Sequence, residues 1–199
     1  AVVYPFGYGL SYTTFTQEMG EITETDGTIS FDVTVTNTGD VAGKDVVEVY
    51  YNPPYTNGGI EKATANLVAF EKTEMLEPGA SEVVTITFNA EDMASYDYQN
   101  ALGYVLEAGD YEISINSDSH TVIDSQTYNV PETITYSGDN MRSTDKTEVT
   151  NQFASAEGDV TYLSRADGFA NYDEATAAPA SLSMTDEQKA TFLNNGNYD

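Results

Sequence analysis

The chain lacks cysteine and tryptophan, contains a single histidine and has few basic residues. Without cysteine it can form no disulfide, thiol nucleophile or thiolate-bound metal site. Its 7 Lys and Arg residues stand against 33 Asp and Glu residues, which gives a formal net charge of −26 over 199 residues. Nucleic acids and anionic membrane surfaces are bound by clustered positive charge, so this balance argues against both as partners.

Long apolar runs are missing as well. None approaches the roughly 18 residues that a membrane-spanning helix needs. The sequence opens with Ala1–Val3 and shows no charged segment followed by an apolar stretch, so we expect a piece of a longer polypeptide without a visible secretory signal. There is no D-x-[DN]-x-[DN]-G calcium loop, and the sequence predicts neither a metal nor a cofactor. The chain is expected to be soluble, and both a cytoplasmic and a secreted parent protein stay open.

The middle of the chain alternates between apolar and polar residues. Successive side chains of a strand point to opposite faces, so this period predicts strands with one buried and one solvated face. Turn-forming residues separate the runs, as at Asn37–Asp40 and Pro78–Gly79. About seven short strands in this arrangement predict an all-β fold, an antiparallel β-sandwich. The apolar members of four runs are Ile29, Phe31, Val33 and Val35; Val47, Val49 and Tyr51; Val84, Ile86 and Phe88; and Tyr111, Ile113 and Ile115.

The segment Tyr4–Phe15, YPFGYGLSYTTF, is the most distinctive part of the sequence. It begins as a loop rich in Gly, Pro and aromatic residues, and from Leu10 onward its β-branched and aromatic residues predict a strand. The string resembles the segment that opens the fibronectin type III-like domain of glycoside hydrolase family 3 enzymes. Four further blocks resemble the same domain in the same order: Val35–Tyr50, Leu67–Gly79, Glu91–Asp97 and Glu107–Ile113.

Two departures indicate a divergent branch of that family. The family often has a Trp before its final hairpin, where this chain has Ala101, Leu102 and Tyr104. Ala69 stands where Gly is common. Neither change is expected to disturb an immunoglobulin-like or fibronectin type III-like sandwich, since Tyr104 can fill much of the missing volume.

The resemblance also implies a domain organisation. Residues 1–9 would end a preceding α/β sandwich domain or form a linker, and residues 10–130 would form the β-sandwich. Residues 131–180 would be an extended segment that docks on another domain, and residues 181–199 would begin a following barrel domain. Within the tail, Val160–Asp167 resembles the connector of a bacterial branch with reversed domain order, in which the barrel comes last.

The function that the resemblance implies is structural. In the family the nucleophile is an Asp on the barrel domain and the acid/base is usually a carboxylate on the α/β sandwich domain, and no counterpart to either motif occurs here. We therefore expect this chain alone to be inactive, within a parent β-glucosidase. Its role would be to brace the two catalytic domains, which would be its partners and its only link to a β-glucoside. His120 is predicted to be a solvent-facing turn residue.

Two alternatives from other functional classes stay open. A carbohydrate-binding module is conceivable because the chain contains 15 Tyr residues that could stack on sugars. An immunoglobulin-like spacer or adhesin domain would have no link to an enzyme.

Seven residues are candidates for contacts between domains or at the border of a sugar pocket. Rigid aromatic side chains on loops favour recognition surfaces because they bury area with few torsions to fix. The loop Tyr51–Asn66 is stiffened by Pro53–Pro54 and bent by Gly58–Gly59, and it could pack on a catalytic domain or on its own sandwich. The candidates are Tyr4, Phe6, Tyr8, Pro54, Tyr55, Tyr162 and Phe169.

The last predicted element is a short helix within Ser183–Asn194. Thr185 is its expected N-cap, and Gln188 is the residue that would complete a capping box. Asn195–Gly196 is expected to end it.

Overall fold

The computed structural model describes residues 3–148, 150, 154–156, 158–160, 162–168 and 185–195. It has two compact units, residues 1–155 and 156–199. Within the described residues, no helix has the length and apolar character needed to cross a membrane. The strands are β1 (Phe15–Met19), β2 (Thr23–Thr25), β3 (Thr28–Asn37), β4 (Val46–Asn52), β5 (Asn66–Lys72), β6 (Ser81–Asn89), β7 (Ser95–Asp97), β8 (Gly103–Leu106), β9 (Gly109–Asp118), β10 (Thr121–Val130) and β11 (Ile134–Tyr136).

The strands form three antiparallel sheets. In the first, β3 pairs with β1, β2 and β6. In the second, the order is β10–β9–β4–β5. The third is small and has the order β11–β8–β7. A short 3-10 turn, Ala90–Met93, connects β6 to β7. The all-β sandwich that the sequence predicts is therefore confirmed.

The hydrophobic core lies between the first two sheets. The apolar members of the alternating runs in β3, β4, β6 and β9 all belong to one buried cluster. Ile29 and Val33 of one sheet and Val49 and Ile113 of the other are fully buried. Each strand thus turns its apolar face inward, as the period of two predicts.

Asn37 closes one end of this core at the last residue of β3. Its side chain is fully buried, and its Oδ1 accepts hydrogen bonds from the Thr13 hydroxyl at 2.7 Å and the Gly39 amide at 3.1 Å. Its Nδ2 donates to the carbonyl oxygens of Val41 at 2.9 Å and Leu76 at 2.8 Å. All four hydrogen bonds of the amide are made, so Asn37 joins the opening segment to two loops.

Tyr111 anchors the core at the start of β9. It is 1% exposed, and its ring centroid lies 6.3 Å from that of Tyr51 on β4. Its hydroxyl donates to the carbonyl oxygen of Glu107, four residues upstream, at 3.1 Å. Burial and the nearby Glu107 charge raise the pKa of this phenol, so the hydroxyl stays protonated as a donor.

The prediction of a strand from Leu10 onward is wrong for its first five residues, since β1 begins at Phe15. Leu10 and Tyr12 are 91% and 98% exposed. The Ser11 side chain accepts a hydrogen bond from the Thr13 amide at 3.2 Å, and the Thr13 side chain turns inward to Asn37. Such a local bond bends the backbone and competes with strand pairing.

The segment that follows β10 first packs against the β-sandwich itself. β11 pairs with β8, and the Arg142 guanidinium lies 3.5 Å from the ring centroid of Tyr104 while pairing with Asp145 through two bonds. The Ser143 amide donates to the Glu91 carboxylate at 2.9 Å. Part of this segment thus packs on its own module, and the docking of residues 131–180 on another domain stays a prediction. β8 pairs with β7 along one edge, and β11 satisfies the backbone groups of its other edge.

The second unit contains helix α1 (Asp186–Asn195). The Thr185 hydroxyl accepts from the Gln188 amide at 3.2 Å, and the Gln188 side chain accepts from the Thr185 amide at 2.9 Å. These are the two reciprocal bonds of the capping box that the sequence predicts.

Candidate functional site

The opening segment carries three exposed aromatic side chains, Tyr4, Phe6 and Tyr8, which we name the opening aromatic patch. Their exposed fractions are 71%, 67% and 49%, far above those of core residues. The rings of Tyr4 and Tyr8 pack together with their centroids 5.2 Å apart. The patch is therefore an apolar surface held partly in shape by its own rings.

The backbone under the patch is fixed to the second sheet. The Ser119 amide, in the β9–β10 turn, donates to the Phe6 carbonyl oxygen at 2.8 Å. Gly7 has a φ of +85°, and a Cβ built there would overlap the Glu48 carboxylate. Only glycine adopts this backbone angle at low cost and leaves room for Glu48. The three rings thus project from a segment that is pinned at its centre.

The loop between β4 and β5 packs on its own sandwich at its base. The Lys62 side chain is only 2% exposed, forms an ion pair with Glu107 and donates to the Pro54 carbonyl oxygen at 2.7 Å. Pro54 also lies against Gly109, where an added Cβ would come within 3.1 Å of the proline ring. The Tyr55 hydroxyl donates to the Glu61 carboxylate at 3.2 Å.

These contacts favour one of the two arrangements that the sequence left open for this loop. Pro54 and Lys62 face their own module, and residues 56–59 at the tip are exposed. A contact between this tip and a catalytic domain stays a prediction.

Replacing Lys62 by methionine is expected to destabilise the chain by about 2 kcal/mol, because the apolar stem is kept while a buried ion pair and the Pro54 bond are lost. Urea unfolding followed by circular dichroism measures this. The loop should also be cleaved faster by proteases near residues 56–59. Lys44→Met, which removes an exposed pair with Glu74, is the matched control and should change stability little. Equal losses in the two variants would contradict the anchoring role.

The candidates in the tail are placed differently. Tyr162 belongs to the second unit and is 51% exposed. Phe169 lies outside the described residues. The structure therefore packs Tyr4 against Tyr8, with Phe6 exposed on the same segment, while Pro54 and Tyr55 belong to the β4–β5 loop.

Two titratable residues, His120 and Asp97, lie at turns. His120 is exposed in the β9–β10 turn, where its backbone amide donates to Asp118 at 2.8 Å. Asp97 is buried, and although burial alone would raise the pKa of its carboxyl, amides of Asn100, Ala101 and Gln99 bond it and hold that pKa below its usual range. This carboxylate caps a turn. In the part of the chain that the structure describes, no three His, Asp or Glu side chains are placed to hold a metal ion.

Comparison with known proteins connects this fold to a family. The sequence profile of the fibronectin type III-like domain matches residues 45–119. A β-glucosidase from Kluyveromyces marxianus is 36% identical over 138 residues, which cover 69% of this chain and 16% of that protein. A β-glucosidase from Ruminococcus albus is 42% identical over 121 residues, covering 59% of this chain and 12% of the relative.

Solved structures give the same result. β-Glucosidase 3B from Thermotoga neapolitana, solved in complex with glucose, superposes with a TM-score of 0.59 at 38% identity over 67% of this chain and 18% of its own. The K. marxianus β-glucosidase, also solved with glucose, gives a TM-score of 0.63 at 33% identity over 68% of this chain and 16% of its own. The chain thus spans less than a fifth of the length of these relatives.

The fold, the profile match and these similarities agree with the resemblance of the opening segment and the later blocks. The chain therefore carries a fibronectin type III-like domain of the kind found in the β-glucosidases of glycoside hydrolase family 3.

Proposed function

We propose that this chain is a non-catalytic module that braces the catalytic domains of a family 3 β-glucosidase. The observation that carries the proposal is the opening aromatic patch, an exposed apolar surface on a pinned backbone. Exposed apolar patches on folded domains commonly mark protein contacts. A pinned patch loses little conformational freedom when it docks, which favours a permanent contact within one polypeptide.

The partner of the patch is the α/β sandwich domain that, by the family resemblance, precedes this module. Helix α1 belongs to the approach to a barrel domain that follows it, as in the branch with reversed domain order. The catalytic carboxylates lie on those two domains, and the β-glucoside is hydrolysed there. Misplacing a catalytic group by about 1 Å can cost about a hundredfold in rate, so rigid spacing between the domains has a large kinetic value.

The test removes the patch in the full-length polypeptide by Tyr4→Ala, Phe6→Ala and Tyr8→Ala together. We expect kcat for an aryl β-glucoside to fall about ten- to a hundredfold, because the catalytic groups lose their spacing. The patch side chains are exposed in this module, so its own fold should be retained. Val83→Ala is the control, since Val83 is 58% exposed on β6 and lies outside the patch.

A second arm of the test uses the chain by itself, which should not hydrolyse the glycoside at any concentration. Unchanged kinetics and unchanged thermal unfolding in the triple variant would reject the bracing role and favour a passive spacer. Hydrolysis by the chain alone would place catalytic carboxylates within it and would also reject the proposal.

A further inference from the structure

A polar groove of about 360 Å³ lies on the outer face of the second sheet. Its floor is made by outward-facing residues of two neighbouring strands, Tyr50 and Asn52 on β4 and Ser114 and Asn116 on β9. The β9–β10 turn closes one end and the β4–β5 loop closes the other. The first end is lined by Ser119 and His120 of the turn and by Val122 of β10, and the second by Thr64 and Ala65.

The strand register sets the length of this outer-face groove. Asn52 lies opposite Glu112, and Tyr50 lies opposite Ser114. Asn116 is four residues beyond Glu112 on the same strand, so the two asparagines stand roughly 13 Å apart along the strand direction. The groove is thus an elongated channel with one amide near each end.

Both amides carry an unused hydrogen-bond acceptor. Asn116 is 2% exposed, and among the described residues neither its Oδ1 nor that of Asn52 has a hydrogen-bond partner, although both oxygens are buried. Buried polar atoms in proteins are almost always paired, because leaving one unpaired forfeits its hydration without replacement. The groove is therefore lined by two asparagines whose buried amide oxygens have no donor among the described residues.

The other groups that line the groove limit the kind of ligand that it can bind. Ser114 and Ser119 offer hydroxyls, which both donate and accept, and the Glu112 carboxylate accepts. Among the described residues that line the groove none is Lys or Arg and one is His120, so an anion would find little countercharge. A single metal ion could not bridge the asparagines, since metal–oxygen distances are far shorter than their separation.

The groove is also unsuited to an apolar anchor. Among the described residues that line it, only Ala65 and Val122 are aliphatic. Tyr50, Tyr51 and His120 contribute rings, and the Tyr50 hydroxyl already donates to Glu48 at 2.8 Å. Burial, followed by that bond and the Glu48 charge, raises the pKa of Tyr50, so the phenol remains a donor to Glu48 and the ring stays oriented. A ligand here must form hydrogen bonds with amides along its length, beside the ring of Tyr50 that the Glu48 bond orients.

We infer that the outer-face groove binds an uncharged, hydroxyl-rich ligand of about two linked sugar rings. Sugar hydroxyls donate to the two asparagine oxygens, and they accept from the serine hydroxyls and the asparagine NH2 groups. The Tyr50 ring lies beside the middle of the ligand. This binding site goes beyond the bracing role and does not rest on it, because it needs no other domain.

The experiment titrates the ¹⁵N-labelled chain with cellobiose and follows side-chain NH2 resonances by NMR. We expect saturable shifts of the Asn52 and Asn116 amides with a Kd of about 1–10 mM, typical of a few hydrogen bonds to an open groove. The side-chain amide of Asn129, which bonds Asp110 elsewhere on β10 and β9, should not move.

Variants connect the shifts to the groove. Asn116→Ala and Asn52→Ala should each weaken cellobiose binding by about tenfold or more, which corresponds to the loss of one well-placed bond. Asn129→Ala should bind cellobiose as tightly as the unsubstituted chain does. Asn52 is only half-buried, so its variant keeps the test valid if Asn116→Ala does not fold.

Three results would overturn the inference. The first is the absence of shifts with cellobiose and maltose, which would leave solvent as the only occupant. The second is a set of shifts confined to residues outside the groove. The third is full binding by Asn52→Ala and Asn116→Ala, which would show that the amides do not contact the sugar.

Discussion

Replacing Asn37 by alanine is expected to lower the free energy of unfolding by about 3–4 kcal/mol, because four hydrogen bonds at a fully buried site disappear together. The change leaves the Thr13 hydroxyl, the Gly39 amide and the carbonyl oxygens of Val41 and Leu76 without their partner. These groups lie in three separate stretches of chain. Urea unfolding followed by circular dichroism, with the slope held common, measures the loss.

Asn37→Asp separates shape from hydrogen bonding. The carboxylate keeps the volume and the two acceptor contacts, but it faces two carbonyl oxygens that need donors, so the loss should be at least as large as for alanine. Asn129→Ala is the matched control, since Asn129 is exposed and makes one bond to Asp110. A loss at Asn37 no larger than that at Asn129 would show that the end of the core does not depend on this amide.

Tyr111→Ala is expected to cost about 4 kcal/mol, since it empties the largest fully buried position of the sandwich. The cavity would lie beside Tyr51 and between the two sheets. Tyr111→Phe keeps the ring and removes only the bond to the Glu107 carbonyl oxygen, which should cost about 1 kcal/mol.

The same urea unfolding measures both Tyr111 variants. Tyr12→Ala serves as the control because Tyr12 is 98% exposed, and its change should stay within about 0.5 kcal/mol. If phenylalanine were as costly as alanine, the hydroxyl bond would be the main contribution, and the packing argument for this residue would fail.

Strands whose two faces differ are the part of the fold that the sequence predicts well. In β3 each buried apolar residue is flanked by polar ones, and the core residues of β4, β6 and β9 keep the same period of two, although Tyr50, Ser114 and Asn116 are buried as well. The three-residue strands β7 and β11 are too short to show any period. Their pairing depends on a neighbouring strand supplied by the fold, so local sequence cannot specify it.

The sequence likewise predicts one part of the candidate site and not the rest. The exposed rings of the opening aromatic patch follow from a loop rich in Gly, Pro and aromatic residues. The pairing of Lys62 with Glu107 joins residues 45 positions apart, and the two groove asparagines come from different strands. The alternation of inward and outward residues predicts that Asn52 and Asn116 lie on the outward faces of β4 and β9. Predicting that the two asparagines line one groove also requires the register between those strands.

The edge contact between the two sheets has a consequence for the order of folding. The Gln126 side chain donates to the Gly20 carbonyl oxygen at 2.7 Å and accepts from the Ile22 amide at 3.3 Å, across 106 and 104 positions of sequence. β1 and the turn after it are synthesised first, but their hydrogen bonds to Gln126 can form only after β10 has been synthesised. Contacts of such separation slow folding. During synthesis the two sheets of the module are therefore joined late. A ribosome-bound chain that stops before residue 126 should lack the Gln126 hydrogen bonds that connect the two sheets.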